Sequence, residues 1–539
     1  MRKIILFTFA LCSVCLFATP RSIQQARRAF SSSSELRHVY TAVQPDGKPA
    51  FYVFNKGDEQ GFVIISADDR AYTILGYSDT GRWEENDLPE NMRAWLGMYQ
   101  TDLEQLARLP EAQMISEDFV SYTPVAPLCA TKWNQSAPYN ESCPSYQGKS
   151  AAAGCVAVAA SQIMKKHAYP EHGVGEHSYK WVNENGDSIT LSADFANTTY
   201  DWSNMLNTYT TTSASDKKKA VATLIYQTGV ACNMKYGKSS SATSSTMIGE
   251  LINTFKYDKG IRVLYKNYAG DSILLDAIQE DLLAGRPVYL SAKTVEGTGH
   301  AFVCDGMDAD GLLHINWGWG GKSDGYFRLS ALAPSEQGTG GSATNKAYTE
   351  SVQIYTRIQP DAGGDYVHHL ICERVQIERS DLARQDTVKF VVDTVRNRGF
   401  AVWNGNLRLR VYQNGELYES RTITKNKLLK PWNFYYHLNY KAAISYPPGE
   451  YELVMSIRDS AQSKTYIPLY CHGEGEWRCH MTITNDSIHL SRTSPVIPQA
   501  LEATKEEVQP MVQKILRNGV LYIRREGETY TLQGLRVND

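Results

Sequence analysis

Cysteine is scarce in this chain: there are ten in 539 residues, and Cys12 and Cys15 fall in the first apolar stretch. The other eight, at 129, 143, 155, 232, 304, 372, 471 and 479, are too sparse for a disulfide-stapled scaffold. Cys471 and Cys479 are close enough in sequence to bridge in an oxidising compartment. With His472 and His480 they do not make the spacing of a zinc finger, and no H-E-x-x-H occurs, so neither a metal nor a cofactor is expected. Charge of one sign is also missing. Lys+Arg 55 against Asp+Glu 58 gives a net charge of −3, without the basic footprint of a nucleic-acid binder. Beyond residue 17 no apolar run approaches the ~20 residues that a membrane-spanning helix needs. Three Gly-Lys-Ser triplets, at 148–150, 237–239 and 321–323, have Cys143, Cys232 and Asn316 where a phosphate-binding loop needs glycine. Gly321-Lys322-Ser323-Asp324-Gly325 matches a nucleophile elbow, but a strand-like segment follows it where a helix is required.

What is present is ordinary globular material, 42% hydrophobic and 21% charged, long enough for two to four domains. Met1-Arg2-Lys3 followed by the apolar stretch 4–17 reads as a signal peptide, residues 1–18, so the protein is expected to be exported. Residues 19–124 read as a separate small unit. Its β-rich runs 51–54 and 61–67 are followed by an amphipathic helix between Pro89 and Pro110 and by an aperiodic, linker-like stretch 111–126. Residues 125–359 alternate helices and strands. Residues 360–492 are nearly all short strands, with Asn414-Gly415 as a hairpin turn, and suggest an antiparallel sandwich. Residues 493–539 read as a linker and a short β-rich tail.

Chemistry concentrates in residues 125–359. In Ala151-Ala152-Ala153-Gly154-Cys155 small residues lead into a helical pattern that Pro170 ends. Cys155 is therefore expected at a helix N-terminus, where open N–H groups and the positive dipole end favour the thiolate. A thiol nucleophile needs a base, an orienting group and oxyanion donors. His300, after Gly299 and before Ala301-Phe302-Val303, is expected at the exposed mouth of a strand. A second strand ending in Asn316-Trp317 would pair with it and bring either residue beside the imidazole. Upstream, the Gln135 side chain could join the Cys155 N–H in binding an oxyanion. Gln, Cys, His and Asn follow in the chain order of papain-like proteases, with His300 145 residues after Cys155.

These segments resemble the streptopain family of secreted bacterial cysteine proteases, including its interpain-like members. The matching residues are Asn134-Gln135, Pro138-Tyr139-Asn140, Gly154-Cys155-Val156-Ala157, Ser161-Gln162-Ile163-Met164-Lys165, Tyr169-Pro170 and Tyr200-Asp201-Trp202. Further on come Gly299 to Val303, Asn316 to Gly321, Ser323-Asp324-Gly325 and Gly338-Thr339-Gly340-Gly341. Residues 50–110 resemble that family's inhibitory prodomain. The resemblance implies an α+β fold: a papain-like protease domain preceded by an α+β inhibitory prodomain and followed by an Ig-like β-sandwich. It implies a secreted, self-processing endopeptidase with Cys155 as nucleophile, His300 as base and acid, and Gln135 as oxyanion donor. Asn316 and Trp317 stay open as the third member. The implied partners are protein and peptide substrates and the chain's own prodomain. The tail leaves attachment to the cell surface open. Two other readings use the same residues: a Cys/His peptidoglycan amidase, and a catalytically inert adhesin.

Overall fold

Small and β-branched residues, punctuated by Gly and Pro, divide the described residues into six α-helices and many short strands. The computed structural model describes residues 21–30, 36–108, 121–266, 271–293, 299–330, 352–366, 370–435, 438–460, 465–471 and 475–492, with the backbone of four strands in the tail. The signal peptide, most of the linker-like stretch, the 338–341 glycines, His472 and the 493–511 linker lie outside the described residues.

The N-terminal part comprises α1 (Ile23–Phe30), β1 (Leu36–Val43), β2 (Pro49–Lys56), β3 (Phe62–Ser66), β4 (Ile74–Ser78) and α2 (Glu90–Arg108). Two small hairpins follow, β5 (Ser145–Tyr146) with β6 (Lys149–Ser150) and β7 (Glu176–Val182) with β8 (Ser188–Asp194), and between them lies α3 (Cys155–His167). Then come α4 (Ser215–Ala231), α5 (Ser244–Asn253), β9 (Arg262–Tyr265), α6 (Asp271–Leu283), β10 (Val288–Lys293), β11 (Gly299–Met307), β12 (Leu313–Asn316), β13 (Gly325–Phe327) and β14 (Val352–Thr356).

The N-terminal segment read as a separate unit; in the structure its strands extend the sheet built by residues 125–359. Ten strands form one sheet in the order β1-β2-β3-β4-β13-β12-β11-β10-β14-β9, with β4 joined to β13 through Tyr77 opposite Tyr326 and Gly76 opposite Phe327. This sheet is buried on both faces. Tyr289, Ala301, Val303 and Tyr355 pack with α3, α4 and α5, while Leu290, Phe302, Cys304 and Ile354 pack with α2 and α6. Period-2 alternation thus assigns each residue of β11 to one of two cores.

The sandwich comprises β15 (Leu370–Cys372), β16 (Val375–Ile377), β17 (Asp381–Ala383), β18 (Thr387–Val392), β19 (Val395–Asn397), β20 (Trp403–Gln413), β21 (Glu416–Leu429), β22 (Phe434–Tyr435), β23 (Leu438–Ala443) and β24 (Gly449–Asp459). It ends with β25 (Ile467–Pro468), β26 (Tyr470–Cys471), β27 (Gly475–Glu476), β28 (Arg478–Ile483) and β29 (Ser487–Arg492). Three sheets of five, three and seven strands enclose a core containing Phe390, Leu409, Met455 and Trp477. Asn414 and Gly415 turn β20 into β21 with φ of 52° and 82°, as a primed hairpin turn requires. Cys471 and Cys479 are not bridged. They lie in different sheets, Cys471 in register with Cys372 and Cys479 with Leu453.

The junction before the sandwich is fixed by Asp258, whose carboxylate accepts the amide N–H groups of Gly260, Ala362 and Gly364 at 2.7, 2.9 and 3.0 Å. A Cβ at Gly364 would lie 2.2 Å from Asp258 Oδ1, so only glycine fits there. The tail forms its own unit, residues 498–539, a four-stranded sheet of β30 (Val512–Arg517), β31 (Val520–Arg525), β32 (Glu528–Thr531) and β33 (Arg536–Val537).

Candidate active site

Cys155 is the first residue of α3, a helix whose small side chains let it run through the middle of the protein, with residues 155–164 all buried. Gly154 precedes it at φ 90°, and a Cβ there would meet Met234 Sδ and Cε at 2.7 Å. No side chain caps the helix, so its first N–H groups stay open around the sulfur. The Ala301 N–H donates to Cys155 Sγ at 3.4 Å. Burial works against the expected preference for thiolate. Burial pushes the thiol above its ordinary range, against the lowering by the Ala301 and Val156 amides, and the Glu90 carboxylate adds to the rise.

His300 was expected at an exposed strand mouth; it is buried, 8% exposed. Alternation along β11 explains where its ring goes. Ala301 and Val303 face α3 and Cys155, so His300 faces the α2 side together with Phe302. Among the described residues no hydrogen bond joins His300 to Cys155, Asn316 or Trp317. Burial lowers the affinity of the imidazole for a proton, partly offset by Glu90, the first residue of α2. One carboxylate of the N-terminal segment therefore acts on both members of the pair.

The β11–β12 ladder is antiparallel, as expected, but its register sets Asn316 opposite Val303. Asn316 consequently belongs to the α3 side. Its Nδ2 donates to the Thr131 carbonyl at 2.7 Å, and its Oδ1 accepts from Gln162 Nε2 at 3.1 Å and from the Gly318 amide at 3.0 Å. Trp317 lies on the other side, fully buried, with its ring centroid 5.0 Å from Phe302 and 6.2 Å from Trp95 of α2. Its indole N–H donates to the Ser323 carbonyl at 2.9 Å. Neither residue contacts the imidazole by a hydrogen bond. Gln135 is half-buried beside the helix start, its carbonyl accepting the Ala153 N–H at 2.9 Å. Its side-chain amide makes no hydrogen bond among the described residues, so it is available to an incoming group.

Three residues without an assigned role complete the picture. Asn91, fully buried on α2, donates from Nδ2 to the Trp317 carbonyl at 2.6 Å. An asparagine inside a helix's first turn, between apolar residues that pack on the sheet, is the sequence signal that could have singled it out. Gln162 fastens α3 to Thr131, Trp133 and Asn316. Asp324 accepts the Trp317 N–H at 3.0 Å, and burial raises its carboxyl to about 7. Next to it His314 Nδ1 and Asp305 Oδ1 pair at 2.6 Å. Among the described residues no group of three His, Cys, Asp or Glu side chains is arranged to hold a metal ion, and no helix is long and apolar enough to cross a membrane.

Comparison with known proteins gives two consecutive matches. Residues 16–103 match the Spi protease inhibitor family, and residues 133–327 match the Peptidase C10 family. Streptopain of Streptococcus pyogenes is 35% identical over 54% of this chain and 77% of its own length. The thiol protease/hemagglutinin PrtT of Porphyromonas gingivalis is 32% identical over 61% of this chain, which spans only 39% of that relative's length. A solved fragment of prointerpain A from Prevotella intermedia, 29% identical, superposes with a TM-score of 0.51 over 60% of this chain and 98% of the fragment. An inhibitor-like segment in front of a protease segment is the arrangement of a protease zymogen. The chain belongs to the Peptidase C10 family, the streptopain family of papain-like, cysteine-type endopeptidases.

Proposed function

We propose that this chain is the latent form of a secreted endopeptidase in which Cys155 attacks the scissile carbonyl and His300 is its proton carrier. The observation that carries the reading is the position of the two residues. Cys155 Sγ sits at an uncapped helix start against the amide of Ala301, with His300 one residue away on the same strand. The sulfur would form a thioester with the acyl half of the substrate as His300 protonates the leaving amine. Water, deprotonated by His300, then releases the acid and restores the thiol. The Cys155 N–H and the Gln135 amide would bind the tetrahedral oxyanion. No cofactor enters any step.

In the latent form the two side chains face opposite sides of the sheet. Helix α2 covers the face of β11 that carries His300, packing Trp95 on Phe302 and Trp317. We assign residues 1–18 to the signal peptide, 19–124 to the inhibitor, 125–359 to the protease, 360–492 to the sandwich and 493–539 to the linker and tail. Loss of residues 19–124 would unmask the pair.

The test is activity of matured protein toward casein under reducing conditions, with E-64 labelling of the thiol. Cys155→Ser and His300→Ala should each lose several orders of magnitude in kcat, because members of such a unit act together. Casein turnover by Cys155→Ser comparable to wild type would remove the thiol mechanism.

A further inference from the structure

The seven-stranded sheet of the sandwich has an outer face that the protease chemistry does not use. Along β20, Leu407, Leu409 and Val411 point into the core, so Arg408, Arg410 and Tyr412 stand on the other side. On β24 Leu453, Met455 and Ile457 are core residues, which sets Arg458 on the same outer face. The register pairs Arg408 with Ser456 and Asn406 with Arg458, making Arg408 and Arg458 diagonal neighbours. Tyr466 lies across all three arginines, its ring centroid 5.1, 5.9 and 4.9 Å from the guanidinium carbons of Arg408, Arg410 and Arg458. Tyr412 adds a second ring 5.1 Å from Arg410.

Like charges gathered on one face repel, and farther along the same face Arg478 is neutralised: it holds Glu452 and Glu476 at 3.0 and 2.9 Å. The trio has no such partner. Among the described residues none of the three arginines forms an ion pair, and the one side-chain hydrogen bond is from Arg408 to Ser420 Oγ at 3.3 Å. Arg408 Nε, Arg458 Nε and the Tyr466 hydroxyl are buried without a hydrogen-bond partner among the described residues. Buried donors left unmade are costly, and three of them converging on one patch are the signature of a site completed by an acceptor-rich anion.

We propose that this face binds a sulfated polysaccharide. A sulfate presents three acceptor oxygens and a full charge, which several guanidinium forks can engage together. The Tyr466 and Tyr412 rings offer flat apolar surfaces for sugar rings, and Ser420 and Thr422, opposite Arg410 and Arg408 on β21, offer hydroxyls. Three cations in a chain of net charge −3 do not make the extended basic footprint of a nucleic-acid binder.

The experiment uses the full chain carrying Cys155→Ala, and measures affinity for heparin, hyaluronan, duplex DNA and neutral dextran at fixed salt. Heparin should bind best. R408Q/R410Q/R458Q should weaken it at least tenfold. R408K/R458K, which keeps the charge but loses the forks, should weaken it at least threefold with an unchanged thermal midpoint. Tyr466→Phe, which removes only a hydroxyl, should also weaken it. The control K425Q/K427Q/K430Q removes equal charge elsewhere on the domain and should change affinity less than twofold. Matured R408K/R458K should hydrolyse casein as wild type does. Equal loss in the lysine control, an unaffected R408K/R458K, or preference for hyaluronan or DNA over heparin would overturn the proposal.

Discussion

At Cys155 the helix start and the Ala301 amide favour thiolate, while burial in the core around α3 favours thiol, and burial prevails. Gln135 is the proposed oxyanion donor. If its amide helps to hold the oxyanion, Gln135→Ala should lower kcat by about 10²–10³ with the fold intact; a change confined to KM would place it in substrate binding. Asp324 supplies a pH test. Its carboxyl is raised to about 7 against about 4 in an unfolded chain. The folded state therefore binds the extra proton between these values, and the stability due to this group is complete below about pH 4 and lost as pH rises through 7. His314, raised by Asp305, changes in the same direction. In a Cys155→Ala background, Tm of the parent should fall more steeply from pH 5 to 7 than Tm of Asp324→Asn, measured by calorimetry. Parallel curves would show that Asp324 is ionised throughout.

Two elements, α2 and β4, hold the N-terminal segment to the rest of the sheet and are the ones on which the proposed latency rests. Strand β4 adds itself to β13, and Ser78 Oγ donates to the Asp324 carbonyl at 2.7 Å. Helix α2 lays Met92, Trp95, Tyr99, Leu103 and Leu106 into the core shared with Phe302 and Trp317. Tyr77 donates to the Asp308 carboxylate at 3.1 Å, and Lys322 pairs with Asp87 at the rim. Exposed pairs such as the last contribute little. The buried Asn91 bond to the Trp317 carbonyl contributes more, and Asn91→Ala leaves that acceptor unpaired at a cost of about 1–3 kcal/mol. The variant should therefore mature faster than wild type under identical conditions, followed on gels with time. Maturation at an unchanged rate would mean that apolar packing of α2 alone holds the latent state.

Across the whole molecule, an inhibitor built into the protease's own sheet makes activation a matter of cutting and then peeling a strand away. Residues 111–126, aperiodic in sequence, are where the cut is expected. Full-length Cys155→Ala, purified alone, should persist as a precursor beginning at residue 19, while wild type acquires a new N-terminus between Pro110 and Pro127, read by N-terminal sequencing. Equal maturation of the two would assign processing to another protease. The sandwich should stay with the protease throughout. Its Phe400 ring stands 6.5 Å from Tyr355, Ile371 joins the α3 core, and Asp258 fixes the junction.

The candidate nucleophile, the order of the elements and the Asn414-Gly415 turn were legible in the sequence because each depends on local rules: helix starts, periodicity and turn conformation. The apolar stripe from Met92 to Leu106 likewise announced α2 as a helix with one face to bury. Sequence could not say what that face covers, because the answer lies across a gap of more than 200 residues, at Phe302 and Trp317. Nor could it separate Asn316 from His300. Their distance depends on the register of β11 with β12 and on the two-residue alternation, which sends Asn316 toward α3 and His300 toward α2. Cys471 and Cys479 misled for the same reason, since nearness along the chain does not survive assignment to different sheets. Local chemistry is written in neighbouring residues; which side of a sheet a residue faces, and what is packed against it, is decided only when the whole sheet closes.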